Sequence, residues 1–233
     1  MIEINDLYVG YYKDLDILQG VTLKAEKAQI VAVLGANGVG KSTLLKSVYG
    51  FLKPRSGKIL LDGKDITNIA SHQLITQGIS YIPQHSSVFP TLSVEDNLKL
   101  GAWTFRNESE RIQKKIEENF QRFPMLRDRK NDHAGLLSGG MQRMVEVGRA
   151  LMTEPKVILV DEPTAGLAKM LSAEVYRMLA NLRDNDGLTI ILVDQEIRQA
   201  LKIADYVYVL ELGRNRVDGR VEEFTDLKKA LWD

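Results

Sequence analysis

The string GANGVGKST at 35–43 fits the spacing G-x-x-x-x-G-K-[ST], with its hydroxyl at Ser42. The apolar run QIVAVLG (29–35) precedes it and the helix-forming KSTLLKSVYG (41–50) follows, so the loop stands between a strand and a helix. Gly35, Gly38 and Gly40 let the backbone turn tightly and aim successive N–H groups at phosphate oxygens. Lys41 adds a point charge near the β- and γ-phosphates, and the Ser42 hydroxyl can ligate Mg2+. Thr43 reads as a helix residue rather than as a second ligand. The loop alone does not choose between ATP and GTP. The chain has no Asn/Thr-Lys-x-Asp string of the kind that reads guanine.

Two apolar runs end alike, VILVDEPT at 157–164 and IILVDQEI at 190–197. In an open α/β sheet, ligands sit outside the carboxyl ends of strands. Asp161 at such an end can hold the Mg2+ bound by Ser42. Glu162, one residue further out, is placed to polarise an attacking water. Without the phosphate loop the pair would read as a turn cap before Pro163; with it, metal ligand and base is the preferred reading. A third stretch, LLSGGMQRMVEVGRALMTEP (136–155), enters a helix through Ser-Gly-Gly and places Met144, Val147 and Leu151 on one face. That entry exposes N-terminal amides without a side-chain screen, a second anion site or an ordinary helix start.

The elements that would position these groups follow from pattern. VILVD, TIILVD and YVYVLELG read as strands, apolar on every residue, as in a parallel sheet covered on both faces. SGKILLDGKDI (56–66) reads as one further strand between glycine turns, and Gly50 as the residue just past the first helix. From Thr91 to Leu151 strand signals vanish. Ser93 with Asp96 three residues on resembles a capping box, and Ile112, Ile116, Phe120 and Phe123 share a helical face before Pro124. The fold class is α/β, with a mostly helical lobe inserted. There is no fixed-period repeat and no low-complexity tract.

At 233 residues the chain suits one domain, 1–233, with or without an inserted lobe. Lys+Arg and Asp+Glu both total 31, so no net charge draws it to nucleic acid or an anionic membrane. The absence of cysteine excludes disulfides and Cys-ligated metals and is compatible with a reducing cytosol. MIEINDLYVG lacks a signal-peptide pattern, and no stretch approaches the ~20 apolar residues that span a bilayer. A membrane role therefore requires another chain to hold this one there. His72, His85 and His133 read as surface residues, with His85 beside Gln84 the one closest to the chemistry.

Taken in order, the motifs resemble the nucleotide-binding subunit of an ABC transporter over essentially the whole chain: the aromatic Tyr12 before the first sheet, GANGVGKS, Gln84 after ISYIP, LSGGM (137–141) and ILVDEP. The resemblance implies a RecA-like P-loop NTPase core at 1–90 and 152–233, with an N-terminal antiparallel β subdomain. It implies an inserted helical subdomain at 91–151 that carries the LSGGM signature. It implies ATP and Mg2+ as cofactors, and two subunits that sandwich two ATP molecules head to tail. ATP would lie on Gly35, Ala36, Asn37, Gly38, Val39, Gly40, Lys41, Ser42 and Thr43 of one subunit. Ser138, Gly139 and Gly140 of the other would contact its γ-phosphate. Tyr12, with Tyr11 as the alternative, would stack on adenine. Ser42, Asp161 and Gln84 would serve Mg2+, and Gln84 would also link the site to the membrane-facing surface. Lys41, Glu162 and Gln195 would be the catalytic set. At position 195 an amide can donate to phosphate and accept from water at once, without titrating as a histidine would. Asp194 is read as either a second functional carboxylate or a turn cap.

Departures narrow the resemblance. TAGLAKM (164–170) puts Ala168 where the family usually has an aspartate, and Gln195 stands where it usually has a histidine. Met141 replaces the more usual Gln or Glu. The first two features resemble the ATPases of branched-chain or hydrophobic amino-acid importers. That branch implies two permease subunits, a second ATPase subunit, identical or homologous, and an extracytoplasmic substrate-binding protein. It implies a place on the cytoplasmic face of the membrane and no nucleic-acid partner. The alternatives are a lipid or lipopolysaccharide export ATPase, or a non-transport ABC ATPase. The last usually carries a long coiled coil or two fused cassettes, and this chain has no sustained heptads.

Overall fold

The computed structural model describes residues 1–12 and 15–225 of the chain. It opens with β1 (Ile2–Val9) and β2 (Leu18–Ala25), then β3 (Ile30–Leu34) and helix α1 (Lys41–Val48). β4 (Ser56–Leu61), β5 (Lys64–Asp65) and the short α2 (Ser71–Leu74) lead to β6 (Ile79–Ile82). Between β6 and the next strand the chain is helical: α3 (Val94–Leu100), α4 (Ser109–Arg122), α5 (Pro124–Arg127) and α6 (Gly139–Leu151). β7 (Val157–Asp161), α7 (Lys169–Asp186), β8 (Thr189–Asp194), α8 (Ile197–Ile203), β9 (Tyr206–Glu211) and β10 (Arg214–Arg220) complete the order.

Among the described residues two sheets form. One has four antiparallel strands in the order β2-β1-β4-β5. The other has six, β10-β9-β3-β8-β7-β6, parallel from β9 to β6 with β10 antiparallel at its edge. β3, β7 and β8 are buried at every residue, as their unbroken apolar runs require. Successive side chains serve opposite faces. Val31, Val33, Leu159, Ile191 and Val193 pack with Leu44 and Leu45 of α1 and with Ile2, Ile4 and Ile59 of the four-stranded sheet. Ala32, Ile158, Val160, Ile190 and Leu192 pack with Phe120, Val145, Val147 and Leu179 of the helices. Each Val, Leu, Ile or Phe among these contributes about 1.5–3 kcal/mol through burial, which makes the sheet centre a firm frame for its strand ends.

Register carries the chemistry to one edge. Leu34 lies level with Asp194, and Asp161 with Val193. The phosphate loop after β3 and both strand tips therefore emerge side by side.

Two sequence readings are corrected. SGKILLDGKDI is not one strand: Asp62 (φ 50°) and Gly63 (φ 77°) make a tight turn between β4 and β5. Asp-Gly is the residue pair that tolerates two positive φ angles, which is why the strand folds back there. Tyr12 lies between β1 and β2, within the four-stranded sheet's connections rather than before the first sheet. The register of β1 shifts between Ile4 and Leu7, around Asp6 at φ 51°, which interrupts the alternation of its apolar residues.

In the helical part, Ser93 and Asp96 do cap α3: Ser93 Oγ accepts from Asp96 N at 3.0 Å and donates to Asp96 Oδ2 at 2.7 Å. Ile116, Phe120 and Phe123 are buried, and Ile112 packs against the same core. All three histidines are exposed. No helix among the described residues is long and apolar enough to cross a membrane.

Candidate nucleotide site

α1 starts at Lys41 on Gly40, which adopts φ 108° and supplies no side-chain cap. The first amides of the helix are thus left to an external acceptor. Gly35 is required by a neighbour: a Cβ there would lie 2.5 Å from the Leu210 carbonyl oxygen of β9. Lys41 Nζ donates to the carbonyls of Gly35 and Ala36, both at 3.0 Å, and lies 3.8 Å from Glu162 Oε1. At 4% exposure it is a held charge rather than a waving one.

The first tip meets this loop directly. Ser42 Oγ donates to Asp161 Oδ1 at 2.9 Å, and the Tyr81 hydroxyl donates to Asp161 Oδ2 at 3.0 Å. A hydroxyl and a carboxylate side by side are hard oxygen donors of the kind Mg2+ takes. No cluster of three or more His, Cys, Asp or Glu is found among the described residues. Mg2+ is usually held by one or two protein groups, water and substrate phosphates, and Ser42 with Asp161 offers such a pair.

Glu162 sits at φ 41°, an unusual angle for a non-glycine, with its N–H bonded to the Val193 carbonyl at 2.8 Å. Such a backbone angle costs about 1–3 kcal/mol and persists only where the surrounding structure holds it, here through the bond to β8. Its Oε2 accepts from Gln84 Nε2 at 2.7 Å. Burial pushes its carboxyl above the usual glutamate range, and the Lys41 charge opposes that. The geometry therefore joins Lys41, Ser42, Gln84, Asp161 and Glu162 in one constellation.

Gln84 is itself held from α6, which the sequence reading missed. Arg143 donates from Nη1 to the Pro83 carbonyl at 2.9 Å and from Nη2 to the Gln84 carbonyl at 3.0 Å. Glu146 pairs with Arg143 at 2.7 Å and accepts from Ser86 Oγ and Ser87 N. Both side chains of the pair are at least nine-tenths buried. The available signal was an Arg and a Glu three residues apart on the apolar face of a helix. Arg143→Ala is expected to lower the unfolding free energy by roughly 3–5 kcal/mol, because Glu146 stays buried without its partner. A denaturant melt showing a loss near that of a surface pair, under about 1 kcal/mol, would contradict this.

The Ser-Gly-Gly segment lies elsewhere. Ser138 is the N-cap of α6 and accepts from Met141 N at 3.4 Å. Gly139 lines a cleft with Gln84, Arg143 and Ala165–Leu167, whereas Gly35, Ala36, Asn37 and Val39 line another with Gln195 and Leu210. The two glycines also have a packing reason. A Cβ at Gly139 would lie 2.7 Å from Leu167 Cδ2, and one at Gly140 3.2 Å from Leu171 Cδ2.

Asp194 is a capping carboxylate. Its Oδ1 accepts from the N–H groups of Gln195 (2.8 Å) and Glu196 (2.9 Å). Gln195 itself is exposed at the mouth of the phosphate-loop cleft. Tyr11 and Tyr12 are both exposed, at 52% and 76%. Tyr11, the alternative for stacking, brings its hydroxyl within 3.4 Å of Thr43 Oγ1, and Thr43 is a buried residue of α1.

Comparison with known proteins points the same way. The ABC transporter family profile matches residues 18–165. The chain is 39% identical over 204 residues to the high-affinity branched-chain amino acid transport ATP-binding protein BraG of Pseudomonas aeruginosa, covering 88% of this chain and 86% of that one. It is 34% identical over 215 residues to the lipopolysaccharide export system ATP-binding protein LptB of Haemophilus influenzae, covering 91% and 88%. A crystal structure of a nucleotide-free ATP-binding cassette from an ABC transporter superposes with TM-score 0.88 at 30% identity, over 100% of this chain and 95% of that one. The match runs from β2 through the Asp161–Glu162 tip, and the whole fold is shared, so the chain belongs to the ABC transporter family, as one of its ATP-binding, ATP-hydrolysing subunits.

Proposed function

We propose that the chain powers an importer of branched-chain or related hydrophobic amino acids from the cytoplasmic face of the membrane. The observation that carries the import reading is the greater identity to BraG, 39% against 34% for LptB. Gln195 and Ala168 support it as the two departures expected of that branch. The partners are two permease subunits, a second ATPase subunit and an extracytoplasmic substrate-binding protein, with no nucleic acid.

In this reading residues 35–43 cradle the ATP phosphates and Tyr12 or Tyr11 covers the adenine. Lys41 neutralises charge on the β- and γ-phosphates. Mg2+, held by Ser42, Asp161 and Gln84, would screen the charge that develops on the transferring phosphoryl group. Glu162 accepts a proton from the attacking water at its carboxylate, while Gln84 steadies that carboxylate through the bond to Oε2. Gln195 faces the γ-phosphate. Ser138, Gly139 and Gly140 of the second subunit close the site, carried on a helical subdomain, 91–151, beside the core at 1–90 and 152–233.

Purifying the tagged chain from membranes tests the assignment. Two membrane-spanning chains should co-purify, and the extracytoplasmic partner should bind a hydrophobic amino acid. Recovery of the chain alone would count against it, and partners that bind lipid or lipopolysaccharide would replace import by the export reading.

A further inference from the structure

The hydroxyl of Tyr176 ties the two strand-tip loops together. Tyr176 lies on α7 at 3% exposure, and its hydroxyl donates to Asp194 Oδ2 at 2.7 Å. Thr164 Oγ1 stands 3.3 Å from the same hydroxyl oxygen. With the single tyrosine proton committed to Asp194, Thr164 is the donor in that second contact. Thr164 is two residues past Glu162, and Asp194 immediately precedes Gln195. Thr164 and Asp194 are also buried, at 6% and 1%.

Nothing in the phosphate chemistry calls for this network. An apolar residue at 194 could end β8 without placing a carboxylate among apolar side chains, where a charge is unfavourable unless hydrogen-bonded. The three bonds Asp194 accepts have a directed result: two of them fix the backbone of Gln195 and Glu196, and the third fixes Asp194 itself from α7. We propose that Tyr176 is a positioning residue for Gln195: its hydroxyl clamps Asp194 and so holds the Gln195 amide at the phosphate-loop cleft, in register with the Glu162 tip. This rests on the reading of Gln195 as facing the γ-phosphate.

A double-mutant cycle on the purified full chain separates this role from a merely structural one. Tyr176→Phe removes one oxygen and keeps the ring. Its kcat for Mg2+–ATP is expected to fall roughly tenfold, the scale of one hydrogen bond to a charged group, with KM for ATP within about twofold. Gln195→Ala should lose at least as much, and the double variant should be no slower than Gln195→Ala, because the clamp acts only through Gln195. Wild-type kcat in Tyr176→Phe, or losses that multiply in the double variant, would overturn the proposal while leaving the role of Gln195 intact. Wild-type kcat in Gln195→Ala would overturn the reading of Gln195 and the clamp with it. If Tyr176→Phe does not fold, Asp194→Asn replaces it in the same cycle. Its side-chain oxygen can still cap Gln195 and Glu196, its NH2 cannot accept the tyrosine proton, and the same non-additivity is expected.

Discussion

Glu162→Gln is expected to reduce ATP turnover by roughly 10² or more while ATP binding survives, the scale of a lost general base. The amide keeps the shape of the side chain and can still accept from Gln84 Nε2, so the local architecture should persist. What disappears is the proton acceptor beside the attacking water. The substitution should not weaken the fold. A carboxyl whose folded pKa lies above its unfolded value is stabilised only in its protonated form, so at neutral pH its burial opposes folding. A neutral amide lacks that penalty, while Lys41 loses an anion 3.8 Å away but keeps both carbonyl acceptors, so the unfolding free energy should change little. With hydrolysis blocked, the ATP-bound dimer should accumulate. Phosphate release measured beside ATP binding decides the matter: a variant that binds and hydrolyses at the wild-type rate removes Glu162 from the role of base.

Lys41→Ala should act on binding instead. The ammonium is held over the loop by the Gly35 and Ala36 carbonyls, so it is oriented before any phosphate arrives. A hydrogen bond to a charged group contributes about 1.5–3 kcal/mol, so ATP affinity should fall roughly 10- to 100-fold. Removing the charge also leaves Glu162 without the cation 3.8 Å away, which should raise the Glu162 carboxyl further and add a turnover defect. Calorimetry with ATP tests the first effect. Affinity within about twofold of wild type would show that the amides of residues 36–42 carry the phosphates without the lysine.

The parts of this site that were legible in the sequence are those encoded locally. The phosphate loop is nine adjacent residues, 35–43, and β3, β7 and β8 announce themselves as apolar runs because both their faces are buried. That Asp161 would meet Ser42 followed from placing the phosphate loop after one strand and Asp161 at the end of another. The four-stranded sheet was harder, since the bulge at Asp6 breaks the alternation of β1 and the Asp-Gly turn splits what looks like one strand. The braces were not legible. Arg143 reaches Gln84 across 59 positions and Tyr176 reaches Asp194 across 18, and neither spacing has a local signature. Buried polar side chains on helices look like interruptions of an apolar face until their partners are known. Tyr11 and Tyr12 stayed interchangeable in the sequence for the opposite reason: both are exposed, so no packing pattern separates them.

The most direct test of the two-chain ATP site is complementation. Lys41→Ala disables the phosphate loop but keeps Ser138–Gly140, and Ser138→Arg blocks that turn but keeps the loop. A head-to-tail sandwich predicts that mixing the two inactive variants restores Mg2+–ATP hydrolysis, because one site in each mixed dimer then has an intact loop facing an intact turn. A mixture as inactive as either variant alone would contradict it.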